Sequence, residues 1–148
     1  LPRFSKSERL CSKKAIASLF SEGEKKVVYP FRLMVNEMAH ENTSGMARVQ
    51  ILISVPKRSF KRATDRNTLK RRIREAYRLH KEVLYTTISD RLSESDAYQV
   101  HIGFLYTAKK IEPWQLIQDK MIKALSELEL PMWALLPKQN QPNEKPEN

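Results

Sequence analysis

The chain has 148 residues, with 27 Lys and Arg against 17 Asp and Glu, for a formal net charge of +10. That length suits one domain with one core, and the charge points to a polyanionic partner, either a nucleic acid or an anionic membrane surface. A lone cysteine, Cys11, excludes a disulfide framework and argues against a cysteine zinc site. No apolar run approaches the ~20 residues of a membrane span, and the start shows no signal-peptide pattern, so the expectation is a soluble cytoplasmic protein.

Residues 1–12 are polar and basic and read as an extended lead-in. Ser12 can cap a helix running to about Glu22, with Gly23 placed for a left-handed stop. Ile16, Leu19 and Phe20 give that helix one apolar edge. Val27–Asn36 alternates as a strand, and a polar loop follows from about Met38 to Gly45. Ala47–Val55 is the next strand; the short connection predicts an antiparallel pair with the first. A basic loop, Lys57 to Ala63, leads into a long helix from about Asp65 to Leu84 or slightly beyond. Tyr98–Ala108 is a third strand, and Pro113 opens a last helix to about Leu130. Residues 137–148 carry little apolar surface and read as disordered, with Met132, Trp133, Leu135 and Leu136 available to dock. The order helix, two strands, helix, strand, helix predicts an α+β two-layer sandwich around a small mixed sheet. Residues 1–130 form the domain and 131–148 the tail.

The charge is concentrated. Between Lys57 and Lys81 stand eleven basic residues against Asp65 and Glu75, which is nearly the whole net charge of the chain. On a helical wheel Leu69, Ile73, Ala76, Tyr77, His80 and Val83 share one arc. Arg66, Lys70, Arg71, Arg74, Arg78 and Lys81 share the next, with Asn67 among them and Arg72 to one side. Like charges at i, i+4 each cost a helix a few tenths of a kcal/mol, roughly, and a dense polyanion would remove that penalty. Arg also offers a planar fork to phosphate oxygens, and the helix start adds free N–H groups near Arg66 and Asn67. A solvated basic face and a membrane-surface helix are the competing readings; the second needs the apolar arc free for lipid, whereas the core needs it here.

The stretch from Lys61 to Glu75 closely resembles the arginine–asparagine–arginine signature of the bacterial ribonuclease P protein family. Ala63, Arg66, Asn67, Lys70, Arg71, Arg74 and Glu75 match it in place. Ile53–Arg58 is similar to the family's strand ending in a basic pair. Phe4, Arg9-Leu10, Leu19-Phe20 and Gly23 resemble its opening helix and turn. The resemblance spans roughly residues 3–130. It implies a four-stranded sheet with a left-handed βαβ crossover, and binding to a catalytic RNA and to the single-stranded 5′ leader of precursor tRNA. It further implies RNA contacts by Lys57, Arg58, Lys61, Arg62, Arg66, Asn67, Lys70, Arg71, Arg74 and Arg78. Ile16, Phe20, Met34, Arg66, Asn67 and Lys70 would line the leader cleft, where Phe20 stacks on or packs against bases. The chain departs from the family at Ile16 and Met34, where aromatics are common. Its loop Ser59-Phe60-Lys61 lacks the usual glycine, and it has no basic residue near Tyr106-Thr107.

No protein active site is legible. His40, His80 and His101 lie in a loop, a helix and a strand without ligand spacing, and Asp90, Glu94 and Asp96 read as a solvated loop. No phosphate-binding fingerprint appears, and Gly totals only three. The expectation is a non-catalytic subunit of an RNA enzyme whose Mg²⁺ is held by the RNA and substrate, with no obligate protein partner. A generic ribosomal or ribosome-assembly protein is the alternative. A DNA-binding helix would want a helix and tight turn, not a strand, before it, and a nuclease in its own right would cleave unaided.

Overall fold

A computed structural model describes residues 3–39, 47–94 and 98–128. After a short 3-10 turn at Lys6–Glu8, the chain forms α1 (Lys13–Glu22), β1 (Glu24–Val28), β2 (Phe31–Ala39), β3 (Val49–Ser54), α2 (Ala63–Glu94), β4 (Tyr98–Tyr106) and α3 (Trp114–Ser126). The strands make one mixed sheet in the order β1-β2-β4-β3. β1 and β2, and β2 and β4, are antiparallel, while β3 and β4 run parallel around the α2 crossover. The α+β layering and the mixed sheet agree with expectation.

Three local expectations change. The strand expected over Val27–Asn36 is a hairpin, because Tyr29-Pro30 turns the chain and brings Val28 opposite Phe31. Alternation continues across such a turn, so pattern alone hides it; Pro30, which has no N–H to give a ladder, was the available signal. The expected antiparallel pairing of Val27–Asn36 with Ala47–Val55 does not occur, since β4 lies between β2 and β3. A connection too short for a crossover helix still steps over one strand, a distance of roughly 10 Å. Gly23 is extended (φ −63°, ψ 143°) rather than left-handed and leads directly into β1. Its missing side chain is a matter of space, because a Cβ there would lie 2.4 Å from the Leu19 carbonyl oxygen.

The long helix outruns its expected limits at both ends. Nothing in Glu82–Glu94 breaks it, and the Thr87 hydroxyl donates back to the Val83 carbonyl at 2.7 Å. Asp90 and Glu94 therefore belong to α2, not to a loop. The last helix ends at Ser126, capped at Glu127, short of the limit expected near Leu130. The 40–45 loop, His40, Asp96, residues 129–130, Met132, Trp133, Leu135, Leu136 and the 137–148 tail lie outside the described residues.

The sheet's two faces are used differently. Phe31, Leu33 and Val35 of β2 join Val100, Ile102, Phe104 and Tyr106 of β4 on one face, beneath Leu69, Ile73, Ala76 and Tyr77 of α2 and Ile117, Met121 and Leu125 of α3. The ring of Phe31 meets Phe104 and Tyr106 edge-on, and Tyr77 tilts onto Phe104. Alternation sends Met34 to the opposite face, where it packs with Leu10, Ala15 and Leu19 in a much smaller cluster. Gly103 lets α1 sit low there: a Cβ would come within 2.9 Å of Met34 Cε and 3.1 Å of Leu19 Cδ2.

Candidate nucleic-acid interface

The apolar arc read from the wheel is the buried side of α2. Leu69, Ile73, Ala76 and Tyr77 are sealed in the core, and Val83 packs against it. His80 lies at the α2–α3 seam, where Nε2 meets Gln118 Oε1 at 2.9 Å. The basic arc turns outward and divides into working lengths. Near its start, Arg66 Nη1 donates to the carbonyls of Phe60 at 2.8 Å and Lys61 at 3.0 Å, which folds the basic loop against the helix. Because α2 begins at Ala63, the Arg66 N–H is already bonded to Arg62, and the free N–H groups lie one turn earlier than expected.

Lys57, Arg58, Lys61, Arg62, Asn67 and Arg71 are exposed, and Lys70 and Arg74 are half-buried, with Arg74 Nε donating to the Lys70 carbonyl. Farther along, the ridge is neutralised from within. Arg78 pairs with Glu75, and its hydrogen bond holds that carboxyl below the usual carboxylate value. Lys81 is tied to Glu8. Arg72, off to one side of the wheel, donates to the Glu112 carbonyl at 3.1 Å and serves the fold. The ridge is therefore strongest from Arg58 to Arg74.

The residues expected at the leader cleft fall on two sides of the sheet. Ile16 is half-buried in the small cluster, Phe20 is 42% exposed on α1, and Met34 is sealed beneath Leu19, so it supports the floor and presents little surface. Arg66, Asn67 and Lys70 lie on α2, across the β3 edge. The small cluster is flanked by two cationic recesses. In one, Leu10 and Leu52 of the cluster meet Lys70 and Arg74. In the other, Leu105 meets Arg58 and Lys109. Arg9 and Lys109, each lining a recess, were missed in the sequence. Lys109-Lys110 directly after a strand was a usable signal; nothing in periodicity marks Arg9. His101 is buried in β4, with Nε2 2.8 Å from Gln99 Oε1. Among the described residues, no three His, Cys, Asp or Glu side chains gather as a metal site, and no helix is long and apolar enough to cross a membrane.

A basic ridge on a βαβ crossover, beside a sheet face only partly covered, defines a small RNA-binding α+β protein. The family model described as Ribonuclease P matches residues 4–128, and the chain belongs to the ribonuclease P protein family. The ribonuclease P protein component of Porphyromonas gingivalis is 37% identical over 121 residues, covering 82% of each chain. That of Chlorobium phaeobacteroides is 28% identical over 127 residues, covering 84% of this chain and 87% of the relative. The fold is that of the RNase P protein from Thermotoga maritima, with a TM-score of 0.56 at 21% identity over 82% of this chain and 98% of that one. The Staphylococcus aureus protein gives 0.54 at 22% identity over 81% and 94%. The chain is thus the protein component of an endoribonuclease complex, and its partner is the RNase P RNA.

Proposed function

We propose that this subunit is non-catalytic and assists the RNA in removing the 5′ leader from precursor tRNA. The observation that carries this reading is the run of cations from Arg58 to Arg74 beside a partly covered sheet face. Lys57, Arg58, Lys61, Arg62, Arg71 and Arg74 neutralise phosphates of the catalytic RNA, with Arg forks giving direction as well as charge. Arg66, pinned by two carbonyls, keeps the loop and the helix start in one rigid frame. Phe20, exposed on α1, offers a base-stacking surface that tolerates any leader sequence, with Ile16 and Met34 in the small cluster under α1 and Asn67 and Lys70 on α2. Mg²⁺ is held by the RNA and the substrate, and the cytoplasm is the compartment. The protein's contribution is to favour precursor over product.

Reconstitution tests this. Purified protein, a bacterial RNase P RNA and 5′-labelled precursor tRNA are mixed at low Mg²⁺, with RNA-alone and protein-alone controls. Stimulated cleavage at the mature 5′ end, with none from protein alone, is the expected outcome. Cleavage by protein alone would overturn the non-catalytic assignment, and no stimulation by folded protein with its cognate RNA would overturn the precursor-processing role.

A further inference from the structure

The segment before α1 is held far more firmly than a lead-in requires. Glu8 Oε2 accepts the Ser5 N–H at 2.7 Å and the Ser5 hydroxyl at 3.0 Å, which closes the 3-10 turn. Glu8 Oε1 accepts from Lys81 Nζ at 2.8 Å, and Lys81 also donates to the Arg3 carbonyl. The paired side chains keep only 13% and 10% of their exposure. Phe4 sets its ring edge-on to Tyr77 at 5.6 Å. Gln50 reaches the Ser7 carbonyl at 3.0 Å, and the Leu10 N–H bonds the Ile51 carbonyl at 2.9 Å. The segment is a strap running parallel to the edge strand β3, bridged to it at Arg9 and Ile51.

Withdrawing an ion pair from water is costly, and this one removes a cation from the ridge. What it accomplishes is placement. The residue after Glu8 is Arg9, exposed, with its guanidinium 5.7 Å above the Phe4 ring. Arg9 lines one groove with Lys70 and Arg74 of α2, over a floor that includes Leu10, Ile51 and Leu52. The groove holds about 230 Å³. That is below the roughly 300–1,000 Å³ of pockets that enclose small ligands, while its cations Arg9, Lys70 and Arg74 suit the phosphates of a polymer.

We propose that the Glu8–Lys81 pair is a positioning latch. It holds the strap so that Arg9 joins Lys70 and Arg74 in one phosphodiester-binding groove at the sheet edge, extending the RNA interface beyond α2. This rests on the RNA-binding reading above. The ligand is an RNA backbone, supplied by the catalytic RNA or by a single-stranded segment.

The test is a cycle of Glu8→Gln, Arg9→Ala and the double variant, titrated over a salt series with an RNase P RNA transcript and, separately, with a single-stranded RNA oligonucleotide. Arg9→Ala is expected to weaken binding to at least one of them and to lower its log–log salt slope by roughly 0.7 to 0.9; the RNA affected identifies the source. Glu8→Gln makes the protein more positive, so charge alone predicts tighter binding. The latch predicts binding weaker by about threefold or more, with the double variant no worse than Arg9→Ala, because the two act as one unit. Hydrogen exchange of the Leu10 N–H, which bonds the Ile51 carbonyl, should speed up in Glu8→Gln and not in Arg9→Ala. Tighter or unchanged binding by Glu8→Gln, additive losses, or an unaffected Arg9→Ala would overturn the proposal. Lys81→Met removes the other half of the latch together with a cation, so its readout is the cycle: combined with Arg9→Ala it must bind no worse than Arg9→Ala alone, and in that form it stands in if Glu8→Gln does not fold. Arg71→Ala separates the two failures. If it weakens binding while Arg9→Ala does not, only the latch is lost. If neither matters, the RNA-binding reading falls as well.

Discussion

The two faces of the sheet serve different ends. The face beneath α2 and α3 is closed by a continuous core that includes four aromatic rings from Phe31, Tyr77, Phe104 and Tyr106. The face beneath α1 has four sealed apolar residues and leaves Phe20 and Val27 exposed, Val27 at 71%. The first face is where burial stabilises the chain. The second is where surface remains for a ligand, flanked by cations at both ends. The lesson is that one small sheet separates folding from binding by side, so that substitutions on the two sides should fail in different assays.

The largest effect expected is on the closed face. Ile73→Ala leaves a cavity in the core and should cost about 2–5 kcal/mol of stability, read as a lower urea midpoint with RNA affinity intact wherever the protein is still folded. Phe20→Ala on the open face should do the reverse. Thermal stability should move by about 0.5 kcal/mol or less, while precursor binding loses about 1–3 kcal/mol of stacking and binding of mature tRNA is unchanged. A loss of stability matching the Ile73 variant would show that Phe20 belongs to the fold. Along the ridge, Arg71→Ala with Arg74→Ala should lower the salt slope for RNase P RNA by roughly 0.7 to 0.9 for each phosphate no longer neutralised, without touching the urea midpoint; an unchanged slope removes that arc from the interface.

The smallest effect is acid sensitivity of the strap. Burial pushes the Glu8 carboxyl up, but hydrogen bonds from Lys81 and Ser5 and the Lys81 charge outweigh it, and the group sits below its ordinary value of 4.5. A depressed carboxylate contributes stability that is complete above that value and is lost as pH falls through the folded one. Hydrogen exchange over residues 5–12 should therefore loosen only at acid pH in the wild type and be flat in Glu8→Gln. Loosening between neutral pH and 5 would contradict the assignment.

How much of this was legible follows the distance over which information must travel. The ridge and the core stripe of α2 could be read because helical spacing is local: Leu69, Ile73 and Ala76 declare one side and Lys70, Arg71 and Arg74 the other. Ser12 as a cap is equally local, and it accepts the Ala15 N–H. The hairpin at Tyr29-Pro30 was hidden because two strands joined by a tight turn keep one alternation. The insertion of β4 between β2 and β3 is a choice among strand partners that no single strand encodes. The Glu8–Lys81 pair spans 73 positions, and neither residue is distinctive where it stands. The floor at Gly103 was equally silent, since only the approach of Leu19 and Met34 shows why a side chain is absent.

The place of β4 bears on how the polypeptide is made. Among the described strands it is the last to leave the ribosome, yet it is the one that joins the β1–β2 hairpin to β3. Until residue 106 has emerged, the nascent chain carries a hairpin and a lone strand with nothing between them, and the stripe from Leu69 to Leu84 has no finished sheet to cover. Pairings so distant along the chain are slow to form and leave apolar surface open meanwhile. The sheet is therefore complete only after β4, its central link, has been made, and the core only after α3 has followed.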